Sequence, residues 1–120
     1  MTGSRVVTHV GLTRLLAPPA PGRHVLVVGG GAVAARRVQA LSWTGATVVV
    51  VAPRLSDAMF DLLAERRIVW ENRPVREADL DHAWLVHVAV GHARAEATVR
   101  DWVWRRRHAQ EREALHRQFG

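Results

Sequence analysis

At 120 residues the chain is long enough for one domain with its own core, without metals or cross-links to hold it together. Its 48% hydrophobic and 23% charged residues are the balance of a folded globular protein, and the absence of cysteine excludes disulfides, thiolate metal sites and cysteine nucleophiles. The net charge of +6 arises from 17 basic residues, all arginine, against 11 acids, a bias that suits an anionic partner or simply a solvated, arginine-rich helix face.

No apolar run approaches the roughly 18 residues needed to span a bilayer, and the N-terminal stretch lacks the order of charged, apolar and small segments found in a signal peptide. A cytoplasmic protein with no membrane partner is expected. Residues 1–22 carry a weak apolar pattern (Val6, Val7, Val10, Leu12, Leu15, Leu16) and close on Ala17-Pro18-Pro19-Ala20-Pro21-Gly22. They are expected to form an irregular lead-in, because proline fixes its own backbone and restricts the residue before it. Residues 23–120 then form the domain proper.

Val25 to Val28 is apolar on both faces, as a strand covered on each side by helices must be. It runs into Gly29-Gly30-Gly31, after which Val33, Arg37 or Val38, Leu41 and Gly45 fall at helical spacing and Ala34, Ala35 and Ala40 keep the helix slim. Gly45 is a fitting stop. Thr47 to Ala52 is almost purely β-branched and predicts a buried strand ended by Pro53. Ser56 or Asp57 can cap a second helix with Met59, Leu62 and Leu63 as its apolar face, closed by Arg66-Arg67.

Ile68 to Asn72 is a third expected strand, with Trp70 inside it; Glu77 to His82 is a short helical turn; Trp84 to Val90 is a fourth strand ended by Gly91. From Ala93 onward the chain is expected to be helical, with an apolar side made by Val99, Trp102 and Val103 and a solvated half supported by Arg107–Glu111 and Glu113–Arg117 pairs. The fold class implied is a Rossmann-like open parallel α/β sheet of about four strands with flanking helices and a long C-terminal helix. A nucleotide-binding half of this kind normally has a further strand, so the C-terminal end is expected to be incomplete, cut short or rerouted.

Gly29-Gly30-Gly31-Ala32-Val33-Ala34 satisfies Gly-x-Gly-x-x-Gly/Ala. In that pattern Gly29 permits the tight turn, Gly31 lets backbone approach a pyrophosphate, and Ala34 keeps helix and strand close. The free amides around Ala32 and Val33, with the helix dipole, would bind phosphate. No acid stands at the end of the second strand to take a ribose hydroxyl. Arg54 could face an adenosine 2′-phosphate and favour NADP, or it could stand in solvent.

These residues, from Val27 through Arg37, together with Gly45-Ala46, the strand end Val51-Ala52-Pro53 and Asp81-x-x-Trp84-Leu85 followed by Ala89 and Gly91, resemble the precorrin-2 dehydrogenase domain of siroheme synthases over about residues 22 to 107. The resemblance implies NAD as cofactor, held by Ala32, Val33, Pro53 and Arg54, with precorrin-2 as tetrapyrrole substrate, sirohydrochlorin as product and a homodimer in the full-length family. That family carries its catalytic aspartate in a further strand; this chain has no aspartate after Asp101, so no catalytic residue maps onto it. Two alternatives from other classes are a nucleotide-binding module without turnover and, less favoured, a nucleic-acid binder working through Trp102 to Arg107. His87 is expected to be a strand histidine with a backbone partner, and His82, His92, His108 and His116 show no ligand spacing, so no metal site is expected.

Overall fold

A computed structural model describes residues 12–42 and 44–119. The apolar pattern at Val6, Val7 and Val10 lies outside these residues. In chain order the elements are strand β1 (Leu12–Leu15), strand β2 (His24–Val28), helix α1 (Ala32–Ser42), strand β3 (Val48–Val51), helix α2 (Asp57–Ala64), strand β4 (Val69–Glu71), a short 3-10 turn (Glu77–Leu80), strand β5 (Ala83–Val88) and helix α3 (Ala93–Phe119). They build one sheet in the order β1-β5-β2-β3-β4.

The apolar runs become the inner strands. β2 lies parallel between β3 and β5, and β4 continues parallel beyond β3. Alternate residues feed two cores. Val25 and Val27 of β2 and Val48 and Val50 of β3 pack under α1 and α2 with Ala34, Ala35, Val38, Met59 and Leu62. Leu26, Val28, Val51, Val86 and Val88 pack on the other face with Val99 and Val103 of α3 and Leu80 of the 3-10 turn. The slim alanine face of α1 is what lets its backbone settle on the sheet: Ala34 and Ala35 are buried.

Two expectations need correction. The lead-in is not irregular throughout, because Leu12 to Leu15 pairs antiparallel with β5. Among the described residues the Rossmann-like sheet therefore has five strands, the expected parallel set extended by one antiparallel edge strand where about four were expected. The local sequence Leu-Thr-Arg-Leu is too short and too polar to declare a strand, and its order comes from filling the open edge of β5. The proline segment then turns the chain, with Gly22 at φ +82° before β2 begins. The C-terminal helix keeps its expected course through 27 residues, but the Arg107–Glu111 pair does not form; Arg107 instead donates to the carbonyl of Leu15 at 2.9 Å. Glu113 and Arg117 do pair, at 3.4 Å. No helix among the described residues is long and apolar enough to cross a membrane.

α2 shows how local chemistry sets its ends. The Ser56 side chain accepts from the Met59 amide at 3.3 Å at the start. At the finish Arg66 N–H bonds Leu63 O and Arg67 N–H bonds Leu62 O, the doubled closure of a Schellman turn. That closure places Arg66 at φ 60°, the left-handed region that a side chain disfavours. Arg66→Gly is therefore expected to stabilise the domain by about 0.5–1 kcal/mol, seen as a melting temperature higher by several degrees.

Candidate functional site

The strand order decides where a cleft can open. From β2 the chain steps outward to β3 and β4, then returns to β5 on the other side of β2. The connections leave β2 and β5 in opposite directions, and a crevice forms beyond their carboxyl ends. Gly29 leaves β2 at this point and Ala89 leaves β5; the last ladder bond between the two strands runs from Ala89 N–H to Val28 O at 2.9 Å. This is why β5 ends at Val88 and not at Val90.

The three glycines have three separate reasons. Gly29 has φ +125°, and a Cβ there would lie 2.0 Å from the carbonyl oxygen of Ala89. Gly30 is pressed against the next loop: a Cβ would lie 2.0 Å from the carbonyl oxygen of Arg54, and its own carbonyl accepts from Ser56 N–H at 2.7 Å. Gly31 is the opposite case, because a Cβ there would meet nothing within 4 Å. The first two glycines let the turn pack between the ends of β5 and β3, while the third faces open space. The part played by Gly30 is not visible in the Gly-x-Gly pattern, where its place is unspecified.

Gly31 also begins α1, since its carbonyl accepts the first helical bond, from Ala35 N–H at 3.0 Å. The amides of Ala32, Val33 and Ala34 precede that bond and have no helical acceptor. Gly31 brings no side chain to cap them, and α1 has no acid in its first turn. Ala32 is exposed, Val33 half-buried and Ala34 buried, so the first two border the cleft and the third holds the helix to the sheet. Such a bare helix start fits an anionic group.

The cleft has two lobes that meet at Gly31 and Ala89 to Gly91. One, of about 510 Å³, runs toward the end of β3 and is lined by Ala52, Pro53 and Arg54 on that side and by Val75 and Ala95 on the other. The second, of about 290 Å³, is bordered by Gly31, Ala32, Val33 and Glu96. Of the residues expected from sequence, Gly29, Gly31, Pro53 and Arg54 line the larger lobe and Gly31, Ala32 and Val33 the smaller, while Ala34 lies behind them in the core. Glu96 is the residue sequence reasoning overlooks. Its signal is positional, because the first turn of a helix that follows a strand ending at such a crevice must overhang it.

Other candidates are placed elsewhere. His87 is fully buried on β5 and bonds the Thr13 hydroxyl through Nδ1 at 2.6 Å, so its partner is a side chain and not the expected backbone group. Trp102 packs against the core beside Val99 and Val103. Arg100 pairs with Glu96, Arg105 with Asp101 and Arg106 with Asp81 at 2.7 Å, which breaks up the basic face of α3. Trp104 is exposed and stacks on His108.

Comparison with known proteins agrees with this architecture. A siroheme synthase from Baumannia cicadellinicola subsp. Homalodisca coagulata is 40% identical over 77 residues, 64% of this chain and 17% of that protein. The precorrin-2 dehydrogenase of Bacillus subtilis (strain 168) is 31% identical over 71 residues, 59% of this chain and 44% of the relative. Among solved structures, SirC, a precorrin-2 dehydrogenase, superimposes with a TM-score of 0.62 at 34% identity, covering 67% of this chain and 41% of that one. The chain thus spans less than half the length of each of these relatives and resembles their N-terminal NAD-binding part. A family profile matches residues 18–112, and the chain accordingly belongs to the family described as "Putative NAD(P)-binding".

Proposed function

We propose that the chain binds NAD across the glycine turn and serves the NAD-dependent dehydrogenation of precorrin-2 to sirohydrochlorin in siroheme biosynthesis. The observation that carries the reading is the cleft itself: an uncapped helix start at Ala32 and Val33 beside the open space at Gly31, at the reversal point of the sheet. Gly31, Ala32 and Val33 would hold the pyrophosphate, and Pro53 and Arg54 would border the adenosine end. The bound nicotinamide supplies the hydride acceptor, so the tasks left to the chain are to bind, orient and enclose.

Gly31→Asp is expected to leave the melting temperature nearly unchanged, because the new side chain enters open space. It places a carboxylate in the anion cradle and is expected to weaken NAD binding by about 100-fold or more in calorimetry. Intact affinity in this variant would remove the cradle. Turnover is tested by NADH absorbance after mixing the chain with precorrin-2 and NAD.

One observation favours a second reading, a nucleotide-binding module without turnover. α3 runs unbroken to Phe119, through the segment where the family resemblance calls for an aspartate-bearing strand. NAD binding that Gly31→Asp abolishes, without NADH formation from precorrin-2, would select the module.

A further inference from the structure

We infer that Glu96 is a positioning residue that distinguishes the redox states of the nicotinamide, favouring the oxidised, cationic ring at the β5 end of the cleft. The inference rests on reading this cleft as an NAD site. Among the described residues lining the two lobes, Glu96 is the single carboxylate, and Arg54 stands at the far end beyond β3. Between them lies the start of α1, where the pyrophosphate would sit. The charges of the cleft therefore run from a cation at one end, through a helix N-terminus, to an anion at the other.

NAD has a matching asymmetry. Its adenosine is neutral in both redox states, whereas its nicotinamide ring is positive when oxidised and neutral when reduced. A carboxylate at the ring end attracts one state and not the other, while its repulsion of the pyrophosphate is common to both and cancels in their ratio. Glu96 is held for this task. Its side chain is only 24% exposed, and Oε2 accepts from Arg100 Nη2 at 3.1 Å, one helical turn away. The same contact moderates the effect, because the guanidinium cancels part of the field that the carboxylate presents to the cleft.

The experiment is calorimetric titration of the full chain with oxidised NAD and with NADH, comparing the ratio of the NADH dissociation constant to that of oxidised NAD. Glu96→Gln is expected to lower that ratio about five-fold, and Arg100→Ala to raise it about two-fold, as Coulomb interactions across a solvated cleft allow. Loss of a purely structural ion pair would move both variants in the same direction. A ratio unchanged in Glu96→Gln, or shifts of the same sign in both variants, would overturn the assignment while leaving the NAD site standing. A wild-type chain that binds neither nucleotide would overturn the NAD reading and this inference with it.

Discussion

Gly29→Ala is expected to lower the stability of the domain by about 4 kcal/mol, combining left-handed backbone strain with forced overpacking. The residue sits at φ +125°, where only glycine is at ease, and the added methyl would lie 2.0 Å from the Ala89 carbonyl oxygen. Relief requires β2 and β5 to separate at their carboxyl ends, which would break the bond from Ala89 N–H to Val28 O. A loss of this size is a large part of the 5–15 kcal/mol available to a typical domain and corresponds to a melting temperature lower by about 20 °C. Gly31→Ala is the control: with no atom within 4 Å of its new methyl, it is expected to melt within about 1 kcal/mol of the parent. Equal losses in the two variants would show that the turn does not separate packing from ligand space as described.

Acidification is expected to cost roughly 3 kcal/mol of stability through His87 alone. Burial, and after it the positive charge of Arg37, push the imidazole down from 6.5 to about 4. Between those values the unfolded chain takes up a proton at this residue and the folded chain does not. The stabilisation is thus complete above pH 6.5 and is lost as pH falls through the window to about 4. His24 adds to the slope in the same sense, its pKa lowered by burial and by His82 against the opposing effect of Asp79. The check is urea denaturation across this range for the parent and for Thr13→Val/His87→Leu, which removes both members of the buried 2.6 Å hydrogen bond. The double variant should lose most of the pH slope and retain the part due to His24. A slope equal to that of the parent would place the titration elsewhere.

What could be understood from the sequence was whatever is written in neighbouring residues. The β-branched run Val48 to Val51, the glycines after Val28, the Ser56 cap and the alanine face of α1 each state their structure within a few positions, and all are found where the pattern puts them. Strand pairing is different. Nothing within Leu12 to Leu15 says that it will lie antiparallel against a strand more than 70 residues later, and so both β1 and the mixed character of the sheet escape a local reading. The same limit governs the site. Gly29, Gly31, Ala32 and Val33 belong to one motif and are named together, whereas the contact of Gly30 with Arg54 and the place of Glu96 above the cleft exist only once separate elements have met.

The pairing of β1 with β5 has a consequence for how the chain is made. β1 is synthesised before β5, since the partner of its Thr13 is His87, 74 residues downstream. At the usual 5–20 residues per second, the N-terminal strand waits about 4 to 15 seconds before a partner exists. Its tie to α3 is later still, since the Leu15 carbonyl receives Arg107 from the middle of that helix. Until β1 docks, this edge of β5 is unpaired and His87 lacks the Thr13 hydroxyl. The setting of His87, and with it its depressed proton affinity, thus depends on two segments made seconds apart.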